Sequence, residues 1–225
     1  VIALFAQLAR AGVADGHAAY AAGDLDGAIA ALGGPDASGV RAYGHGTALL
    51  AAGRPVEALP PLLLAARQRP RDPNVAHNLA LARSRIAEGE GAPPPPPAGP
   101  RLAIAAVATP AELAALALLA AVGAAVAAWR RARVGVGMAG ALVAGAALAI
   151  AGAAVAWRTD AAHPLAVVVS PAPLRDTPDP LARSERALPP GSEVRVVRPW
   201  GPFVLVEDGR GRQGWVAEDA LARAW

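Results

Sequence analysis

The side chains with the most chemical potential in this 225-residue chain are four histidines and a few serines. His17, His45 and His77 would suggest a metal site if they converged, but they fall in different predicted helices with no ligand spacing such as His-x₃-His. Solvated or packing roles are the expectation for all three. Ser170, Ser184 and Ser192 lack the Gly-x-Ser-x-Gly context of an activated nucleophile, and His163 stands alone after an apolar run. No phosphate-binding glycine loop and no His-Glu-x-x-His motif occurs, and the acidic residues are too isolated to pair two carboxylates. The absence of cysteine excludes a disulfide framework, a thiolate metal site and a cysteine nucleophile. The sequence therefore predicts no catalytic residue, no metal and no cofactor: a protein that is not an enzyme.

Alanine, glycine and proline dominate, and two Phe, two Tyr and five Trp supply little aromatic bulk, so one large core is not expected. All 21 basic residues are arginine, and the net charge of +3 is spread along the chain. No nucleic-acid partner is inferred. The expected class is multidomain: helices over 1–87, a linker over 88–108, an apolar helical pair over 109–157 and a small all-β part over 158–225.

Val1, Leu4, Phe5 and Leu8 recur at helical spacing and predict an amphipathic first helix. Beyond it, residues 16–23 align with residues 46–53 at an offset of 30 residues. The aligned positions are Gly16 with Gly46, Tyr20 with Leu50 and Gly23 with Gly53, followed by Ala28 and Ala58. In a helix–turn–helix repeat the first glycine admits a neighbouring helix, the second ends helix A in a left-handed cap, and the alanine lets helix B pack closely. Ala65 and Pro70 complete the second copy, whereas Gly33-Gly34-Pro35 cuts the first short. These positions resemble the tetratricopeptide repeat, which implies a concave surface for a protein or peptide. Asp72 as N-cap and Pro73 at the first helical position open a further helix carrying Val75, Leu79, Leu81 and Ile86.

Pro93 to Pro97 cannot be helical and predicts an extended spacer. Thr109-Pro110-Ala111-Glu112 is a capping box before the uncharged run 113–129, and a second uncharged run covers 134–157. At about 1.5 Å per residue the runs reach about 25 and 36 Å, against a hydrocarbon core of about 30 Å. Neither run has a polar stripe, and Trp129 and Trp157 close them, so a transmembrane hairpin is expected. Arg130, Arg131 and Arg133 in the turn place it in the cytoplasm by the positive-inside rule. Both soluble parts would then be extracytoplasmic on a bacterial inner membrane, which requires a signal sequence upstream of Val1.

From residue 166 the texture becomes β-rich, with runs at 166–169, 194–197, 203–206 and 215–216. Leu188, Gly191 and Val194, then Trp200, then Gly214-Trp215-Val216 resemble the bacterial SH3 family, which implies a small barrel with these residues in its core. The order of parts, with the stretch Asn78-Leu79-Ala80-Leu81-Ala82-Arg83, resembles the tetratricopeptide member of the Bat aerotolerance operon, the BatE family. That resemblance implies a membrane scaffold assembling with von Willebrand A-domain membrane proteins. The alternative expectation is an envelope protein whose SH3-like part binds or senses peptidoglycan.

Overall fold

The computed structural model describes residues 2–34, 38–89 and 164–224, with scattered positions between 112 and 152. Among the described residues the N-terminal region is helical: α1 (Ile2–Ala21), α2 (Leu25–Leu32), α3 (Gly39–Ala51), α4 (Pro55–Gln68) and α5 (Pro73–Gly89). Helices α1 and α3 end alike. Gly23 (φ 81°) and Gly53 (φ 72°) take the left-handed conformation that glycine tolerates without a Cβ penalty. The Asp24 N–H then donates to Ala19 O at 2.9 Å and the Arg54 N–H to Leu49 O at 2.9 Å, satisfying carbonyls that the helix end leaves open. Asp24 caps α2 through the Gly27 N–H, Ser38 caps α3 through the Arg41 N–H, and Asp72 accepts from the Asn74 N–H ahead of Pro73.

Helix α4 keeps its course through two internal prolines, Pro60 and Pro61. Each removes a backbone donor, but the flanking Leu59, Leu62 and Leu63 are buried and hold the segment in place. α1 packs on α2 and α3, and α3 packs on α4 and α5, so α1, α3 and α5 form one layer with α2 and α4 behind it. In α5 the buried residues are Val75, Leu79, Ala82 and Ile86. Leu81, expected on that face, is only half-buried.

The C-terminal region is an antiparallel β half-barrel of seven strands: β1 (Leu165–Val168), β2 (Ala172–Arg175), β3 (Ser184–Leu188), β4 (Glu193–Trp200), β5 (Phe203–Asp208), β6 (Gln213–Ala217) and β7 (Leu221–Arg223). Their order is β3-β2-β6-β5-β4-β1-β7. Alternation places Ala166, Val168, Val194, Val196, Val204, Val206 and Val216 on the inner face, closed by Leu188 and Ala220. The buried Asp208 carboxylate shapes the β5–β6 turn by accepting from the backbone N–H groups of Arg210 and Arg212 and pairing with the Arg212 guanidinium.

Trp200 departs from expectation. Read as a core residue, it is 61% exposed. A β-bulge between Val196 and Arg198 inserts one residue, so the inward parity of Val194 and Val196 is reversed beyond it. Trp200 therefore pairs with Phe203 on the outer face.

The two regions share a core. Leu165, Val167 and Ala224 pack with Leu59, Leu62, Leu63, Leu79 and Ile86, and residues 1–99 and 163–225 make one compact unit, with residues 100–162 a second. Among the described residues no helix is long and apolar enough to cross a membrane. Most of the expected spans 113–129 and 134–157, the turn arginines Arg130, Arg131 and Arg133, and the proline linker lie outside the described residues.

Candidate functional site

The repeated positions build the helical layer. A Cβ on Gly16 would lie 2.5 Å from Leu32 Cγ, and a Cβ on Gly46 would lie 2.5 Å from Leu62 Cγ. The same glycine–leucine contact thus recurs at the same 30-residue offset, together with fully buried Ala28 and Ala58. Only glycine lets helix A approach the leucine of helix B this closely. Ala65 is buried, and Pro70 lies in the loop between α4 and α5. Leu50 is buried while its counterpart Tyr20 is exposed, because Leu50 is covered by α4 and α5 and Tyr20 belongs to the outermost helix α1.

Two polar ties hold α5 against α3 in this layer: Asn78 Nδ2 donates to Thr47 Oγ1 at 2.9 Å, and Arg85 Nη1 donates to Leu50 O at 2.6 Å. The Arg69 guanidinium sits 5.8 Å from the centre of the half-buried Tyr43 ring. His45 lies beside Gly33 at the end of α2. Burial lowers its pKa below the ordinary histidine value, as do the Arg54 and Arg41 charges, with Glu57 opposing them. Glu57 itself is held below the usual carboxylate range by its hydrogen bond from Arg54.

The helical layer and the half-barrel meet through a charged pair that sequence inspection did not find. Arg83 Nε and Nη2 donate to Glu193 Oε1 and Oε2 at 2.6 and 3.0 Å, across 110 positions of sequence. Beside it, Ile86 packs against Gly191 so closely that a Cβ there would lie 2.6 Å from Ile86 Cγ2. No spacing rule links Arg83 to Glu193, since the pair exists only after both regions have folded.

No family model, curated protein or solved structure matches this chain. The site must be read from its own geometry. Among the described residues no group of three or more His, Asp or Glu is placed to hold a metal ion. Ser184 Oγ donates to Arg186 O and Ser192 Oγ to Pro189 O, so both hydroxyls are engaged with backbone. Of the expected half-barrel residues, Leu188, Val194 and Val216 are in the inner core, Gly191 and Gly214 are buried, and Trp215 is buried on the outer face. What the arrangement offers is a layered surface of apolar, amide and guanidinium groups.

Proposed function

We propose that this chain is a membrane-anchored, non-enzymatic scaffold whose α1–α3–α5 layer holds a protein partner. The observation that carries this reading is the repeated glycine–leucine packing, Gly16 on Leu32 and Gly46 on Leu62, because it sets α1 on α2 and α3 on α4 in the same way, as successive copies of one helix-pair repeat. The half-barrel packs against α4 and α5, and exposed Tyr20, Val40 and His77 belong to α1, α3 and α5. Repeat layers of this kind present extended surfaces for partners.

Anchoring through a hairpin over 113–129 and 134–157 is supported by the described positions of that segment. They are helical, and Leu118, Leu119, Val122 and Leu148 among them are more than half exposed, an apolar surface suited to lipid. The segment begins and ends on the same compact unit, which fits two crossings. With Arg130, Arg131 and Arg133 on the cytoplasmic side, the compact unit is extracytoplasmic on a bacterial inner membrane. The motif order favours a Bat-type assembly containing von Willebrand A-domain membrane proteins.

Cross-linking and pull-down of the full chain from native membranes tests this. Recovery of von Willebrand A-domain proteins, lost in a Tyr20→Glu, His77→Glu double variant, is the expected result. Recovery of cell-wall fragments or wall-synthesis enzymes alone would replace the scaffold reading with peptidoglycan binding. Protease access to the compact unit in spheroplasts but not in inverted vesicles would fit the topology, and the reverse pattern would overturn it.

A further inference from the structure

Strict alternation from Val194 and Val196 would send Arg198 and Trp200 into the barrel core. The bulge at Val197 turns both outward instead. On that outer face Trp200 stands opposite Phe203, while Arg198, Leu205, Trp215 and Arg175 follow one another across β4, β5, β6 and β2. The Arg198 guanidinium lies 5.5 Å from the Trp215 ring centre, and the Arg175 guanidinium 5.6 Å from that of Phe203. Phe203 and Trp215 are thereby buried as a floor, whereas Arg198 and Trp200 remain exposed. Among the described residues Arg198 forms no ion pair.

We propose that this outer face, centred on Arg198 and Trp200, binds an extended acidic segment of a partner protein, with a carboxylate on Arg198 and an apolar side chain on Trp200. An exposed guanidinium held over an indole still has N–H donors to offer a carboxylate in bidentate pairing. Side chains two residues apart on a strand are about 6.5–7 Å apart, which is also the repeat of alternate side chains in an extended ligand. Arg198 and Trp200 match that repeat. Pro199 between them has no N–H, so side chains rather than an added strand hold the occupant.

The same face of β4 already works as a docking surface at its other end, where buried Glu193 receives Arg83 from α5. A lipid surface fits less well, because one exposed indole supplies far less apolar area than an interfacial element needs. The site is separate from the helical layer and stands or falls independently of what that layer binds.

The test uses the full chain in neutral detergent and a fluorescein-labelled peptide alternating glutamate and leucine, with an alternating lysine–leucine peptide as control, read by anisotropy. The acidic probe is expected to saturate and the lysine probe not. Trp200→Ala should weaken binding about tenfold or more. Arg198→Lys, which keeps the charge but loses the bidentate fork, should weaken it about fivefold. Both variants should melt like the parent, and Arg210→Lys in the β5–β6 turn should bind like it. Absence of saturable binding, equal binding of the lysine probe, or unchanged affinity in both variants would overturn the proposal. So would Trp200-dependent binding to anionic phospholipid vesicles or purified sacculi without binding of the acidic peptide.

Discussion

Replacing Arg83 by alanine should cost more stability than replacing its partner Glu193, although the two lose the same pair of hydrogen bonds. The Glu193 side chain is 4% accessible and the Arg83 side chain 35%. Without Arg83 a carboxylate remains in the contact between α5 and β4 with its main counter-charge gone, and breaking a buried pair from that side costs about 3 kcal/mol or more. Without Glu193 the partly exposed guanidinium turns to water, so the loss falls towards that of ordinary charged hydrogen bonds, about 1–2 kcal/mol. In the double variant no charge is stranded, and the cycle should return a coupling of about 1–2 kcal/mol. Urea unfolding of the full chain in mild detergent, followed by far-UV circular dichroism and tryptophan fluorescence, measures all four corners. Because the pair joins the helices to the half-barrel, both signals should shift together in Arg83→Ala. A Glu193→Ala variant less stable than Arg83→Ala, strictly additive single effects, or a helical transition that moves while the β signal stays would each refute the reasoning.

Two contrasts at other positions follow. Gly46→Ala places a methyl 2.5 Å from Leu62 Cγ in a buried helix contact and should cost about 1–3 kcal/mol, partly relieved by Leu62→Ala. Gly53→Ala meets nothing within 4 Å, so only its left-handed backbone resists the change, at about 1 kcal/mol; equal losses in thermal melts would contradict this. His45 has a folded pKa below its ordinary value of 6.5, so protons bind the unfolded chain more readily. Stability from neutral His45 is full above pH 6.5 and is lost as the pH falls through the lower folded value. Urea midpoints should decline from pH 7.5 to 5, and His45→Gln should flatten that slope.

The helical region was legible because its signals are local. Gly23, Gly53, Asp72 and Pro73 act through turns and caps a few residues long, and the offset between Gly16 and Gly46 repeats a contact that each copy makes within itself. The half-barrel was legible in part. Valine-rich β1, β4 and β5 and the Trp215-Val216 pair of β6 gave strand signals, whereas β2 contains Pro173, β3 reads Ser-Glu-Arg-Ala-Leu, and β7 has three residues. Those strands exist because neighbours pair with them. The error at Trp200 has a narrower cause: one inserted residue reverses the side-chain parity of everything after it. The pair Arg83–Glu193 and the burial of Val167 and Ala224 against α4 were illegible for a third reason. They are tertiary contacts between regions separated by the residue 100–162 segment.

Under the proposed membrane anchoring, that separation limits the number of crossings. Val167, Leu165 and Ala224 complete the core that α4 and α5 begin, so the helical region before the segment and the strands after it must fold in the same compartment. A segment that leaves this unit and returns to it can cross a bilayer twice or not at all, but never once. Two apolar runs separated by Arg130, Arg131 and Arg133 satisfy that requirement, whereas either run alone would not. Under the proposed anchoring, the shared core requires an even number of crossings, which the two runs would supply. A partner gripping α1, α3 and α5 would then hold a unit tied to both flanks of the segment, the arrangement a scaffold needs to transmit position rather than chemistry.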